Sequence, residues 1–161
     1  MVWSGGFQEI FCRLQGYQLF KELVIKFILL RLADMVSAIK NGIKCKNLKV
    51  RVRSSRLCLA VLKQLLRRGF IVSFKSVDYY FVEIELKYIA AQQKISLIGD
   101  IKVISRPGYL RSVTLSQSTL ERRSICFGQN VSVLVSTDKG VLFLDEAISS
   151  GLGGVWLVYV W

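Results

Sequence analysis

The sequence contains no histidine, a single proline and 11 acidic residues in a chain of 161. Without imidazole there is no histidine general base, no Ser-His or Cys-His nucleophile and no histidine-containing zinc site. The acids are dispersed along the chain, which disfavours the carboxylate cluster that a metal-dependent RNA-processing enzyme would need. We therefore expect no catalytic activity, no cofactor, no metal site and no small-molecule substrate.

Cysteine is also sparse, and its spacing is uninformative for chemistry. The four cysteines are far apart in the sequence and form no C-x-x-C pair: Cys12, Cys45, Cys58 and Cys126. This spacing favours neither a metal knuckle nor a redox motif. We expect small buried core thiols in a reducing compartment rather than a disulfide framework.

Long uncharged hydrophobic runs are missing as well. The apolar segment 19–35 is interrupted by five charges, and the C-terminal segment 147–161 is short and rich in glycine. Because a spanning helix needs about 20 largely uncharged residues, we expect no membrane insertion. A peripheral membrane protein that uses residues 19–40 as an interfacial helix remains an alternative.

What the chain does contain is positive charge on an apolar scaffold. It has 23 Lys and Arg, a net charge of +12, and 52% hydrophobic residues. This composition predicts a folded protein whose partner is a polyanion, with nucleic acid favoured over an anionic membrane. Between Asp34 and Asp78 there is no acid, whereas eleven cations occur: Lys40, Lys44, Lys46, Lys49, Arg51, Arg53, Arg56, Lys63, Arg67, Arg68 and Lys75. We interpret this interval as a phosphate-facing surface; a merely solvated face is the alternative.

The N-terminal half has the pattern of two helices and three strands. Apolar residues recur at steps of three and four over residues 20–40, which predicts a helix that stops at Asn41-Gly42. Residues 48–53 alternate, so Lys49, Arg51 and Arg53 share one face of a strand.

A second helix follows Ser54-Ser55, which can cap it, and ends before Gly69. Two β-type runs come next, with a hairpin around residues 76–79. The order is α-β-α-β-β.

The C-terminal half is richer in β-type segments. Residues 94–105, 132–136 and 155–161 read as strands, and residues 141–151 run into a short helix. The fold class is α+β with two small domains. We predict an N-terminal domain at 32–98, a β-rich C-terminal domain at 99–161, and an extension at 1–31 that lengthens the first helix.

Three compact polar turns interrupt the apolar segments of the C-terminal half: SRPG at 105–108, VSTDKG at 135–140 and SSGLGG at 149–154. Such turns can bring hydroxyls and main-chain amides close to the sugar edges and bases of an irregular RNA duplex. Each alone is more typical of an ordinary turn whose hydroxyls bond their own backbone.

In order, the chain contains LADMVSAIKNG, LKVRVRSSRLCLAVLKQLLRRGFI, ISRPG, VSTDKGVLFLDEA and SSGLGGVWLVYVW. With these motifs, residues 32–161 resemble the S-eight family, the eighth protein of the small ribosomal subunit. The resemblance implies a two-domain, non-catalytic protein that binds the central domain of small-subunit ribosomal RNA and helps that domain fold during assembly. It also implies neighbouring small-subunit proteins as partners. An RNA-binding protein outside the ribosome is the alternative.

The resemblance also implies which residues contact RNA. Ser136 and Thr137 would hydrogen-bond bases or riboses, and Lys139 would bind phosphate. Gly140, without a side chain, would let the RNA approach the backbone closely. The other matching residues are Ser105, Arg106, Pro107 and Gly108 in the SRPG turn, and Gly151, Gly153 and Gly154 in the SSGLGG turn. Asp138, between Thr137 and Lys139, is also placed at the RNA surface. To these we add the cations Lys49, Arg51, Arg53 and Arg56 from the charge pattern.

Some positions depart from the family pattern. Asp138 stands where the family has a serine, and its carboxylate repels phosphate unless Lys139 or an RNA amino group satisfies it. Val155 replaces a glutamate. Phe143 and Leu144 replace polar residues at the start of the short helix, so we expect Asp145 to cap it.

The low proline and histidine content and the apolar, cysteine-bearing composition favour a protein encoded by an organelle. We expect a mitochondrial ribosome, on the matrix side; the cytoplasm of a bacterium or another organelle is the alternative. Residues 1–30 fit a targeting peptide badly, because they are poor in serine and arginine and include acids.

Overall fold

A computed structural model of the chain describes residues 26–89, 95–106, 108–113 and 131–161. Within them the chain forms helix α1 (26–44), strand β1 (Lys49–Arg53), helix α2 (Arg56–Arg67) and strands β2 (Ile71–Ser76) and β3 (Phe81–Leu86). Strands β4 (Ile101–Val103), β5 (Ser112–Val113), β6 (Ser132–Thr137) and β7 (Gly140–Phe143), helix α3 (Leu144–Ser149) and strand β8 (Gly154–Val160) follow. The predicted α+β class and the α-β-α-β-β order are confirmed.

The first five elements form the N-terminal lobe, built on an antiparallel sheet in the order β1-β3-β2. Strand β1 alternates as predicted: Val50 and Val52 are buried, and the basic residues between and beside them are exposed. Helix α2 buries one stripe at helical spacing against the same core, formed by Cys58, Val61, Leu62 and Leu65.

The remaining elements form the C-terminal lobe. Its described strands pair in the order β4-β8-β6-β7, and β5 pairs with the other end of β8 on the same side as β4. Strand β8 is therefore the central strand, and its most buried side chains, Trp156, Val158 and Val160, are inaccessible to solvent. Helix α3 covers one face of this sheet, where Leu144 packs with Trp156.

One hydrophobic core connects the two lobes. It includes α1 and α2 residues together with Leu134, Phe143 and Val158 of the C-terminal sheet. Polar contacts reinforce the junction: Gln64 Nε2 donates to the Val141 carbonyl at 2.8 Å, and Lys40 pairs with Asp100 at 2.9 Å. The domain boundary near residue 98 stays a prediction.

The end of α1 differs from the prediction. The helix continues through Gly42 to residue 44, because a glycine at this position lets the Val50 side chain approach the helix backbone. Lys46, two residues after the helix end, has φ +55 and closes the helix. The N–H of Asn47 bonds the Gly42 carbonyl at 2.9 Å and that of Lys46 bonds the Ile43 carbonyl at 3.0 Å, the hydrogen-bond pattern of a Schellman cap. The stop predicted at Asn41-Gly42 was wrong because Gly42 serves packing.

Two further expectations need correction. Helix α3 has Phe143 at its N-cap and Asp145 inside its first turn, so Asp145 is not the cap. The reason is that β7 runs directly into the helix without a loop. Cys58 is buried as expected, but Cys45 is exposed beyond the end of α1.

Several predicted features lie outside the described residues: Cys12, Cys126, Pro107 and most of the N-terminal extension. Among the described residues, α1 is already helical at residue 26, upstream of the domain start predicted at residue 32. No helix in the described part is long and apolar enough to cross a membrane. In the same residues, acids and cysteines form no group that could hold a metal ion.

Candidate nucleic-acid interface

The β6–β7 hairpin presents the predicted TDKG turn. Thr137 pairs with Gly140, so Asp138 and Lys139 form a two-residue loop between the strands. Gly140 has φ +112, in the region that favours glycine, whereas neither loop residue has a positive φ. This combination is typical of a type I turn followed by a glycine bulge. The glycine is thus needed to close the hairpin, and a Cβ on it would meet no described atom within 4 Å.

The hydroxyls of the hairpin differ in their availability. Thr137 Oγ1 donates to the Gly140 carbonyl at 2.8 Å, which fixes the hydroxyl and leaves its lone pairs to accept hydrogen bonds. The half-buried Ser136 makes no side-chain hydrogen bond to another described residue. Asp138 and Lys139 are exposed, and no ion pair joins them within the described residues. The tip therefore carries one fixed hydroxyl acceptor and one exposed charge of each sign.

The glycine turn before β8 has two structural functions. Gly151 has φ +67 and ends α3, since its N–H bonds the Ile148 carbonyl at 3.1 Å. Gly154 is a point of close approach: a Cβ there would overlap the Ser136 carbonyl oxygen and lie 2.8 Å from Val135 Cγ1. Gly153, between them, is exposed. This turn is therefore packed directly against the strand that carries the hairpin hydroxyls.

The SRPG turn, at residues 105–108, lies in the loop that connects β4 and β5 at the edge of the sheet. Ser105 is fully buried; its hydroxyl donates to the Trp156 carbonyl and accepts the Arg111 N–H at 3.3 Å. The Trp156 N–H in turn donates to the Arg111 carbonyl at 2.9 Å. Ser105 thus ties both ends of the loop to the central strand, and its hydroxyl proton is already used within the protein.

The exposed part of this loop begins at the next residue. Arg106 is exposed, and its backbone N–H and carbonyl pair with those of Tyr109 at 3.0 and 2.9 Å. Gly108 has φ +88 and permits this tight reversal. Tyr109 is 68% exposed. The sequence reasoning did not select Tyr109, although an aromatic residue directly after Pro-Gly in an exposed turn is a signal that could have identified it.

Strand register attaches the three turns to the sheet at or next to one row of paired residues. Val155, at the start of β8, pairs with Ser112 of β5 on one side and with Ser136 of β6 on the other, and Ser136 also pairs with Val141 of β7. The hairpin tip and the glycine turn leave the sheet just beyond this row, and the loop that contains Arg106 enters β5 at it. The sequence predicted each turn separately. The strand pairing is what places them near one another.

The four predicted phosphate contacts of the N-terminal lobe are only partly free. Lys49 pairs with Glu83 at 2.7 Å, and Arg51 pairs with Asp78 at 2.8 Å. The hydrogen bond to Glu83 and the charge of Glu83 raise the pKa of Lys49 above its ordinary value of 10.5. Strand β3 places Glu83 and Glu85 opposite Arg51 and Lys49, which the gap in acids along the sequence did not indicate.

Arg53 and Arg56, in contrast, make no salt bridge within the described part of the chain. Arg53 is opposite Phe81, and Arg56 is the first residue of α2. These two are the free cations among the four.

Comparison with known proteins identifies the family. The Ribosomal protein S8 family model matches residues 31–161. Relatives of similar length include the small ribosomal subunit proteins uS8 of Acholeplasma laidlawii, 38% identical over 132 residues, of Tropheryma whipplei, 35% over 133, and of Nitratiruptor sp., 34% over 134. Each match covers 81% of this chain and 95 or 96% of the relative.

The chain belongs to the Ribosomal protein S8 family. S8 is a structural, non-enzymatic family, so the expectation of no catalytic activity is confirmed by membership. The three turns all lie within the matched residues, as do both sheets and α2. The S8 match begins at residue 31, so Phe27 and Ile28 of α1 precede it.

The burial of Cys58 is also consistent with a non-catalytic protein. Burial raises the pKa of this thiol to about 11, against an ordinary value of 9.0. The thiol therefore stays protonated and is a poor nucleophile at neutral pH. It packs in the core between α1 and α2 instead.

Proposed function

We propose that this S8 protein is a structural constituent of the small ribosomal subunit. It binds the small-subunit ribosomal RNA through the three turns at the end of the C-terminal sheet and organises the central domain of that RNA during assembly. Family membership and the names of the relatives, all small ribosomal subunit proteins, support the ribosomal assignment. Neighbouring small-subunit proteins are further partners.

The observation that carries this proposal is the shared row of the sheet. Ser112, Val155 and Ser136 stand side by side, and the turns around them supply hydroxyl acceptors, main-chain amides, Arg106 and Lys139. Because the turns leave rigid strands, their polar groups are held at fixed spacing without a further cost in loop entropy. An irregular RNA duplex offers ribose hydroxyls and displaced base edges to such a surface.

Each turn has a distinct part in this proposal. The oriented hydroxyl of Thr137 accepts from a ribose or a base amino group, and Ser136 provides a second hydroxyl. Arg106 and Lys139 bind phosphate. Gly140, Gly153 and the exposed Gly108 allow the sugar–phosphate chain to approach the backbone closely. Ser105 and Gly154 have structural parts and do not contact RNA themselves. Ser105 fixes the loop, and Gly154 permits close pairing of β8 with β6.

The N-terminal lobe contributes affinity without sequence choice. Arg53 and Arg56 bind phosphate directly, and Lys49 and Arg51 do so after exchanging their carboxylate partners for phosphate. We expect steep loss of affinity with salt. Asp138 opposes binding, so Asp138→Ser should raise affinity about fivefold, on the basis of about 1 kcal/mol for one exposed charge near phosphate.

The test is hydroxyl-radical footprinting of small-subunit RNA with purified full-length protein. We expect one protected helix in the central domain. Thr137→Ala should weaken binding about fivefold, corresponding to about 1 kcal/mol for one hydrogen bond. Lys63→Ala, at an exposed cation on α2, is the control and should change affinity less than about twofold. Equal weakening by both variants without a discrete footprint would reduce the protein to a non-specific cation.

We also propose a mitochondrial location. Its support is compositional: one proline, no histidine and a hydrophobic content of 52%. The relatives named above are bacterial, so the alternative is a bacterial cytoplasm. Immunodetection of the chain in small subunits from purified mitochondria decides this; detection only in cytoplasmic ribosomes contradicts the mitochondrial proposal and leaves the ribosomal one intact.

A further inference from the structure

A groove on the N-terminal lobe lies apart from the three turns. It has a volume of about 510 Å³ and lies between the first described turn of α1, the β1–α2 junction and the end of the β2–β3 hairpin. None of its lining residues, within the described part of the chain, belongs to the three turns. The volume falls in the range of about 300–1,000 Å³ that is usual for sites of small ligands.

Aromatic side chains form the walls of this groove. Phe27 is 58% exposed and Tyr80 is 70% exposed, although both are large apolar rings. The backbone of Tyr80 is held in place, because its carbonyl accepts the Ser54 N–H at 2.7 Å. The ring of Phe81 has one face covered by Arg51 at 4.3 Å. Arg31 lies over the Phe27 ring in the same way, but Phe27 keeps more than half of its surface exposed. Phe27 and Tyr80 therefore offer the accessible ring surface, and nucleic-acid bases stack on such surfaces.

Two arginines give the groove its charge. The guanidinium of Arg31 lies 4.7 Å from the ring centre of Phe27, and Arg53 also lines the groove. Neither forms a salt bridge with a described residue, including Asp34 one turn along α1. Asp78, in the turn of the β2–β3 hairpin, is bound to Arg51. The groove thus combines guanidinium groups, which bind phosphate, with ring faces that bind bases.

We propose that this groove binds one unpaired nucleotide of RNA. Its base packs against Phe27 and Tyr80, and Arg31 and Arg53 hold its phosphates. The inference rests on the proposed RNA-binding function and extends it to a second, single-stranded contact. Because Phe27 precedes the residues that match the S8 family, part of this site belongs to this chain rather than to the matched region. The positive charge favours RNA over an apolar peptide as the occupant.

The test uses the full-length protein and a short, unstructured oligouridylate that carries one 2-aminopurine. Stacking of the fluorescent base on a ring quenches its emission. We expect quenching with the wild-type protein, and at least about a fivefold loss of affinity for Tyr80→Ala, Phe27→Ala or Arg53→Gln. The matched controls are Tyr79→Ala and Lys75→Gln, which should remain within about twofold. Tyr79 is 90% exposed and meets the Tyr80 ring edge-on, with 5.1 Å between the ring centres, but it does not line the groove.

The possible results separate this inference from the proposed function. If the wild-type protein does not quench the probe, or if Tyr80→Ala and Tyr79→Ala weaken binding equally, the inference is overturned. A photocrosslink from position 80 to residues 1–25 or to another ribosomal protein, in place of RNA, also overturns it. The central-domain footprint is measured on the same variants. Its absence with wild-type protein refutes the proposed function, whereas its persistence in Tyr80→Ala shows that the turns bind independently of the groove.

Discussion

Gly154→Ala should disturb the fold and the RNA surface together. Gly154 begins β8, where the backbone of β6 approaches so closely that a Cβ would overlap the Ser136 carbonyl oxygen. The same Cβ would lie 2.8 Å from Val135 Cγ1, so this side chain also blocks it. Gly154 has no positive φ, so the obstacle is space and not backbone conformation.

The size of the effect follows from what has to move. Overpacking a well-packed site costs about 1–3 kcal/mol. Here the nearest neighbour is backbone, which cannot change rotamer, so we expect about 2–3 kcal/mol. For a chain of this length that lowers Tm by roughly 4–12 °C. The strand shift also displaces Ser136, so RNA affinity should fall even at temperatures where the variant is folded.

Thermal unfolding followed by circular dichroism, and RNA titration well below Tm, measure the two effects. Gly69→Ala is the matched control: Gly69 has φ +75 at the end of α2, and a Cβ there would meet only Lys87 Nζ, at 3.7 Å, among the described atoms. It should cost about 1–2 kcal/mol through backbone strain and leave RNA affinity unchanged. A Gly154→Ala protein with wild-type Tm and wild-type RNA affinity would refute the reasoning.

Other expectations follow from single contacts. Ser105→Ala removes the hydroxyl that donates to the buried Trp156 carbonyl and accepts the Arg111 N–H, and should lower the free energy of unfolding by about 1–3 kcal/mol in urea titrations. Iodoacetamide should modify Cys45 but not Cys58 in the native protein, because burial raises the pKa of Cys58 to about 11; mass spectrometry of digests reads this out. The pKa of Asp100 lies below its ordinary value of 3.8, so its ionised form stabilises the fold above that value, and this contribution is lost as the pH falls through the folded pKa. Lys40→Gln should therefore lose less stability than the wild type between about pH 5 and pH 2.

The predicted difference between Lys40→Gln and wild type depends on what lowers the pKa of Asp100. Burial alone would raise the pKa of Asp100, but the hydrogen bonds from Lys40 Nζ and the Ile101 N–H, with the charges of Lys40 and Lys102, lower it further than burial raises it. Identical acid unfolding profiles for Lys40→Gln and wild type would contradict this assignment. An unchanged free energy of unfolding in Ser105→Ala would contradict the role given to the Ser105 hydroxyl. Rapid labelling of Cys58 in the native protein would contradict its burial.

Local patterns predicted the elements well where one physical signal dominated. The alternation in β1 is confirmed because one face of an edge strand packs on helices and the other meets solvent. Gly69 ends α2 as expected, since its left-handed conformation closes the helix. Gly42 was misread because its role depends on Val50, which approaches it from the next strand. A local propensity cannot reveal such a tertiary contact.

In the candidate site, too, local patterns predicted the turns but not the tertiary contacts between them. The TDKG and Pro-Gly turns were visible as turns, but their convergence depends on β8 pairing with β5 and β6, whose residues are distant in sequence. The burial of Ser105 likewise depends on Trp156, 51 residues away. The absence of acids between Asp34 and Asp78 suggested more unpaired cations than the structure has. Glu83 of the neighbouring strand β3 forms a salt bridge with Lys49.

The central claim is that the turns of the C-terminal sheet face RNA. Ultraviolet crosslinking of the protein to small-subunit RNA within the assembled subunit, followed by mass spectrometry of the peptides, tests it most directly. The account predicts nucleotide adducts on peptides that contain residues 106–109 and 136–140. Adducts confined to the N-terminal lobe, with both of these peptides unmodified, would contradict it.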